Sequence, residues 1–178
     1  MLQPMASCGG VNGSLAPPLR FRPAGDVKSA WPCDSGPFAN VQKLSGTPAQ
    51  KAGKRYEKRV LAKLSALFGS GFRPSQWFRF VSQDGIRYCQ VDGLLHREGL
   101  TAIFEVKYSF TADAWWQLRK LYQPVVQRAY HPNKLALVLI TRYFDSAIAF
   151  PEELLLLPEL TTSWAGDCHS INLLTWRF

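Results

Sequence analysis

An α/β layer fold with a mixed sheet is what this sequence predicts, and three observations predict it. Residues 49–68 repeat apolar side chains at helical spacing, and residues 86–110 alternate apolar and polar side chains around a Glu-Gly turn. After a second helical stretch, "KLALVLITRYF" is an uninterrupted apolar run of the kind a strand shows when both its faces are buried. Helix, strands, helix, strand is the order of a layered α/β domain. A chain of 178 residues, 47% hydrophobic and 13% aromatic, has material for one such core.

The chain divides near residue 46. Before it, Gly, Pro and Ser recur without apolar periodicity ("CGGVNGSLAPPLRFRPAG", "WPCDSGPF"), a composition that does not offset its own ordering entropy. Residues 1–46 are therefore expected to be a disordered or loosely docked arm, and residues 47–178 the domain. No charged start followed by an apolar run opens the chain, and the run of four leucines at 154–157 is far too short to span a bilayer, so neither secretion nor a membrane partner is expected. The cysteines Cys8, Cys33, Cys89 and Cys168 are scattered without a Cys-x-x-Cys pair, which disfavours a zinc site or a disulfide framework and fits a reducing cytoplasm. A net charge of +8 points to a polyanionic partner, nucleic acid before an acidic membrane surface.

Within the domain, Thr47-Pro48 has the form of an N-cap followed by proline in the first turn. The helix after it carries an apolar stripe of Tyr56, Val60, Leu61, Leu64, Leu67 and Phe68 and ends at Gly69 to Gly71. Lys51, Lys54, Arg55 and Lys58 make a basic ridge beside the stripe, while Glu57 lines up with the stripe itself. The bland alternative for Glu57 is an ion pair with Lys54 or Arg55.

"QWFRFVS" is a short alternating strand, and "IRYCQVDGLLHREGLTAIFEVKYSF" follows as a hairpin turning at Glu98-Gly99. Pairing Arg97 with Leu100 and counting outward sets Asp92 opposite Glu105 and Gln90 opposite Lys107. One face then gathers Val91, Gly93, Leu95, Ala102, Phe104 and Val106, and the other Gln90, Asp92, Glu105 and Lys107; a one-residue slip would mix them. A second helix starts at Thr111 or Asp113, buries Trp115, Leu118, Tyr122, Val125, Val126 and Ala129 on one side, and is kinked by Pro124. "SINLLTWRF" is a candidate final strand.

Carboxylates directly opposite on adjacent strands have Cβ atoms roughly 5 Å apart, and such a pair is destabilising unless one stays protonated or a cation sits between them. Mg²⁺ takes oxygen ligands and keeps several waters, so one or two carboxylates, here Asp92 and Glu105, with a substrate phosphate suffice to hold it, the Val106 carbonyl being a further donor and Glu57 reaching the same spot directly or through water. The bland alternative for Lys107 is neutralisation of Glu105. His96, His131 and His169 have no partner at metal spacing, and Trp115, Trp116 and Tyr122 read as core rather than as stacking platforms.

Glu57 on a leading helix, Asp92 in "QVDG" and "EVK" at Glu105 to Lys107 resemble the PD-(D/E)XK nuclease superfamily over roughly residues 47–143. The resemblance implies a restriction-endonuclease-like mixed sheet flanked by helices, with an α-β-β-β-α-β core. It also implies Asp92 and Glu105 as metal ligands and Lys107 beside the attacking water. Val91 stands where the motif has proline. Gln117 and Tyr122 match the glutamine and tyrosine of the RecB-like branch with one residue too many between them; Gln117 and Gln90 are second-tier candidates.

The expectation is a Mg²⁺-dependent nuclease, with Mn²⁺ as substitute, hydrolysing DNA phosphodiesters in recombination, repair or processing, in a phage or a defence system. Lys107, with its pKa lowered amid apolar walls, would orient or deprotonate the water, and the basic ridge would track the phosphates. A homodimer is the form that double-strand cutting or junction resolution would require. The alternative is an inactive nucleic-acid-binding or scaffold protein of the same fold.

Overall fold

The computed structural model describes residues 22–37, 46–143, 154–157 and 171–175, the last two segments by their backbone. Thr47 caps the first helix, α1 (Pro48–Phe68), as expected: the Gln50 N–H donates to Thr47 Oγ1 at 3.3 Å and the Thr47 N–H donates to Gln50 Oε1 at 2.8 Å. Gly69, at φ +61°, ends the helix in a conformation that side chains disfavour. Tyr56, Val60, Leu61 and Leu64 are buried, and Phe68 packs on Phe72 and Phe104. Leu67 departs from the expected stripe and is 55% exposed, because by the last turn Phe68 already covers the sheet.

Within the segment expected as an arm, β1 (Ser29–Cys33) forms and pairs antiparallel with β3 (Trp77–Ser82), with Ala24 and Ala30 buried in the core. Ala30 within the strand and Ala24 ahead of it anchor the segment despite the Pro- and Gly-rich surroundings that dominated the composition. The rest of that segment lies outside the described residues.

The chain then builds two sheets. β1, β3 and β4 (Gly85–Gln90) make a three-stranded antiparallel sheet. The larger sheet has the order β2 (Phe72–Pro74), β5 (Gly93–Arg97), β6 (Leu100–Ser109), β7 (Lys134–Tyr143), β9 (Ile171–Thr175) and β8 (Leu154–Leu157). Its first three strands are antiparallel, and β6, β7, β9 and β8 run parallel. The mixed α/β architecture and the strand at "SINLLTWRF" are as predicted.

The long hairpin is not. Its turn and inner register hold, with Arg97 opposite Leu100 and Gly93 opposite Phe104, but β4 pairs with β3 instead of β6. A two-residue turn, Gln83-Asp84, joins β3 to β4 and pairs them from Ser82 opposite Gly85. Backbone bonds from Val91 N–H to the Gln76 carbonyl (3.0 Å) and from Ser75 N–H to the Asp92 carbonyl (2.7 Å) then hold a corner where the chain passes between sheets. Gln90 therefore lies opposite Trp77, not Lys107, and Val91 joins Leu94 and Ile103 in one core cluster rather than Phe104 and Val106 in the other.

Around β6 and β7 the layers are helix, sheet, helix. Side chains of α1 pack with Phe104, Val106, Val138 and Ile140 on one face, and α2 (Ala112–Gln117) and α3 (Gln123–Tyr130) cover Ile103, Leu137 and Leu139 on the other. Thr111 is the N-cap of α2. The kink expected at Pro124 is realised as a π-helical turn, Leu118–Tyr122, between α2 and α3. Proline clashes with the carbonyl four residues back, Lys120, and that carbonyl instead accepts from Ala24 N–H at 2.8 Å. No helix among the described residues is long and apolar enough to cross a membrane.

Gly93 is needed where the chain enters the larger sheet: a Cβ there would stand 2.6 Å from Phe72 Cζ. Gly93→Ala must displace that ring and is expected to cost about 1–3 kcal/mol in a denaturant melt. An unchanged midpoint would show that the ring yields freely.

Candidate active site

At Asp92 the backbone leaves the ladder with β6, and the side chain takes the place of the missing strand: Asp92 Oδ2 accepts the Val106 N–H at 2.7 Å. This fixes the carboxyl at the corner between the two sheets. Val106 is thus joined to Asp92 through its N–H, while its side chain packs under α1.

Glu105, the position across from Asp92 if the β5–β6 register is extended by one residue, has no exposed surface. Its Oε1 forms an ion pair with Lys107 Nζ, and its carboxyl faces that of Asp92. Burial and then the Asp92 charge push the Glu105 pKa up to about 8, against the pull of Lys107. Burial also raises Asp92, although Lys107 and the Val106 N–H favour its charged form.

For Lys107, burial alone would lower the pKa, as the sequence suggested. The charges of Glu105, Asp92 and Glu57 together outweigh it and hold the ammonium above its ordinary value. Its side chain keeps 34% of its surface exposed, so it stands at the mouth of the pocket.

Glu57 is half-buried on α1. Burial and the Asp92 charge raise its pKa, and Lys107 and Lys54 lower it, so its field reaches the same pocket. It is not gathered at ligand distance: among the described residues no group of three or more His, Cys, Asp or Glu could hold a metal ion. The donor set that remains, the carboxyls of Asp92 and Glu105, consists of hard oxygens and suits Mg²⁺, which needs only one or two carboxylates from a protein, although Lys107 already pairs with Glu105 Oε1.

The π-turn changes the standing of Gln117. A π-helical turn brings residues five apart together, and Gln117 Nε2 donates to Tyr122 Oη at 2.5 Å. Tyr122 is buried, and burial followed by the charges of Glu105 and Asp92 raises its pKa well above the ordinary value, which places its hydroxyl within their field. Gln90 is elsewhere, its Nε2 donating to the Ser75 carbonyl at 3.2 Å.

Sequence reasoning missed Thr141. It pairs with Lys107 across β6 and β7, is fully buried, and its Oγ1 has no hydrogen-bond partner. Its signal was a lone hydroxyl closing an apolar strand. Lys51, Lys54, Arg55 and Lys58 are all exposed on α1, as a ridge requires.

A carboxyl whose pKa is higher folded than unfolded stabilises most below its unfolded value, and that stability is lost as pH rises towards the folded value, here from about 4.5 to about 8. Glu105→Gln cannot ionise. At about 1.4 kcal/mol per pK unit, the stability of E105Q relative to the parent should rise by roughly 2 kcal/mol or more between pH 5 and pH 8 in EDTA. Parallel stability curves would show that Glu105 is not buried as described. The chain matches no family model, no curated protein and no solved structure.

Proposed function

We propose that this protein is a metal-dependent nuclease of restriction-endonuclease-like fold that hydrolyses phosphodiester bonds in DNA. The observation that carries this reading is the meeting of Asp92, Glu105 and Lys107 in one pocket, where a second acid faces the fully buried Glu105 carboxyl and a single ammonium pairs with it. A core glutamate of this kind is hard to account for by stability and easy to account for by a ligand.

Asp92 and Glu105 would hold Mg²⁺, with the Val106 carbonyl as a further donor and Glu57 acting through water. The bound ion would supply charge neutralisation on the phosphoryl oxygens and a more acidic water. Lys107, held protonated by its three acidic neighbours, serves as a donor to the developing charge on phosphate rather than as a base. The exposed cations of α1 meet the phosphate backbone, a contact that carries affinity and little sequence information. The net charge of +8 agrees with such a substrate.

The alternative is an inactive nucleic-acid-binding module of the same fold, and the ion pair between Lys107 and Glu105 favours it, because that pair already neutralises the acid. Calorimetric titration separates the two. With Mn²⁺, the parent should show a site that Asp92→Ala removes, and labelled DNA with Mg²⁺ should be cut by the parent, with rate losses of roughly a hundred-fold or more in Lys107→Ala. A flat Mn²⁺ trace together with intact DNA would establish the alternative; cleavage that survives both EDTA and Lys107→Ala would mean a different site.

A further inference from the structure

The outer face of the three-stranded sheet carries side chains that neither the core nor the acidic pocket uses. Trp31 lies across from Arg79, and Arg79 across from Tyr88, so the three form one row over the strands. The intervening residues Ala30, Phe78, Phe80 and Cys89 are buried, which fixes the row as outward. Trp31 is 49% exposed, Tyr88 39% and the neighbouring Ile86 55%. The Arg79 guanidinium stands 6.0 Å from the centre of the Trp31 ring.

Trp, Tyr and Arg also anchor protein interfaces, so the residue types alone do not choose a partner. Charge does. No Asp or Glu occupies an outward position on any of the three strands, and Asp84, in the turn joining β3 to β4, is held by Arg22 and Arg87. A flat aromatic, cation, aromatic row without an acid, on a chain of net charge +8, complements a polyanion that has flat apolar faces to offer. Unpaired bases have such faces free, whereas a duplex stacks them away. The row is also joined to the acidic pocket: β4 carries Tyr88, and Asp92 follows four residues later, ~13 Å of extended chain.

We propose that Trp31, Arg79 and Tyr88 form a stacking platform for a single-stranded segment of DNA. That the nucleic acid is DNA rests on the function proposed above; the platform itself does not. Two bases stack on the Trp31 and Tyr88 rings, and Arg79 between them meets a phosphate.

The test is fluorescence anisotropy of labelled oligothymidylate, a duplex of equal length and an oligouridylate, in EDTA so that nothing is cut. Trp31→Ala and Tyr88→Ala should each weaken oligothymidylate binding about five-fold or more, the low end for one stacked base. Duplex binding should be unchanged, and Trp31→Phe should keep most of the affinity. Thermal melts matching the parent exclude misfolding. Unchanged single-strand binding in both alanine variants overturns the platform, as does equal loss for single strand and duplex. Binding of the RNA oligomer alone overturns the DNA assignment, and a dimer that dissociates on Trp31→Ala assigns the face to a second copy of the chain. Because no readout uses cleavage, an inactive protein leaves the platform testable, and a failed platform leaves the nuclease reading in place.

Discussion

The acidic pocket follows from the burial of one carboxyl. Glu105 sits in the middle of β6 with no exposed surface, between Phe104 and Val106. A charge in that position costs several kcal/mol unless it is neutralised by a proton, an ammonium or a metal. The fold supplies part of each of the first two remedies: a carboxyl that prefers its proton up to about pH 8, and the Lys107 ammonium against one oxygen. An apolar side chain like that of Ile103 on the same face would satisfy the site with none of this cost. Asp92, brought in by its bond to the Val106 N–H, makes the position worse for stability, and that is the physical ground for assigning it a ligand.

How far this was legible in the sequence depends on which force set each feature. The β5–β6 register could be counted from the turn because segregation of apolar and acidic residues penalises any slip, and the structure has that register from Gly93 to Arg97. The corner at Val91 and Asp92 could not be counted. Cys89, Val91, Gly93 and Leu95 recur at every second position straight through the corner, so the pattern gives no sign that β4 pairs with β3 across a two-residue turn. The only local mark of the switch is Gly93, whose reason, the Phe72 ring against its backbone, is a contact distant in sequence. β1 was hidden for a related cause: composition reports the average of a segment, and one strand held by Ala30 is too short to move it.

The second helix shows the opposite case, where a local rule was right and its consequence lay one step further. Pro124 predicted a distortion but not its kind. Absorbing it as a π-turn adds one residue to the helical repeat, so Gln117 and Tyr122, a residue too far apart on a regular helix, come into hydrogen-bond contact. The same turn frees the Lys120 carbonyl for Ala24, tying the segment before β1 to the helix that covers the pocket. One proline thereby influences both the shell around Glu105 and the docking of the smaller sheet.

Lys107 decides how the proposed reaction divides its labour. Desolvation argued for a lowered pKa, and it is the largest single influence, but three carboxylates act against it and their sum prevails. In the metal-free protein the Lys107 ammonium is a donor rather than a base. In the proposed reaction the group left to accept a proton from water would be Glu57, whose raised pKa makes it a better base than an exposed carboxylate and whose charge couples to those of Asp92 and Lys107. Glu57 sits on α1, whose buried side chains pack on the face of β6 opposite α2. In the proposed reaction Glu57, which no described cluster brings to ligand distance of Asp92 and Glu105, would supply the base that the site otherwise lacks.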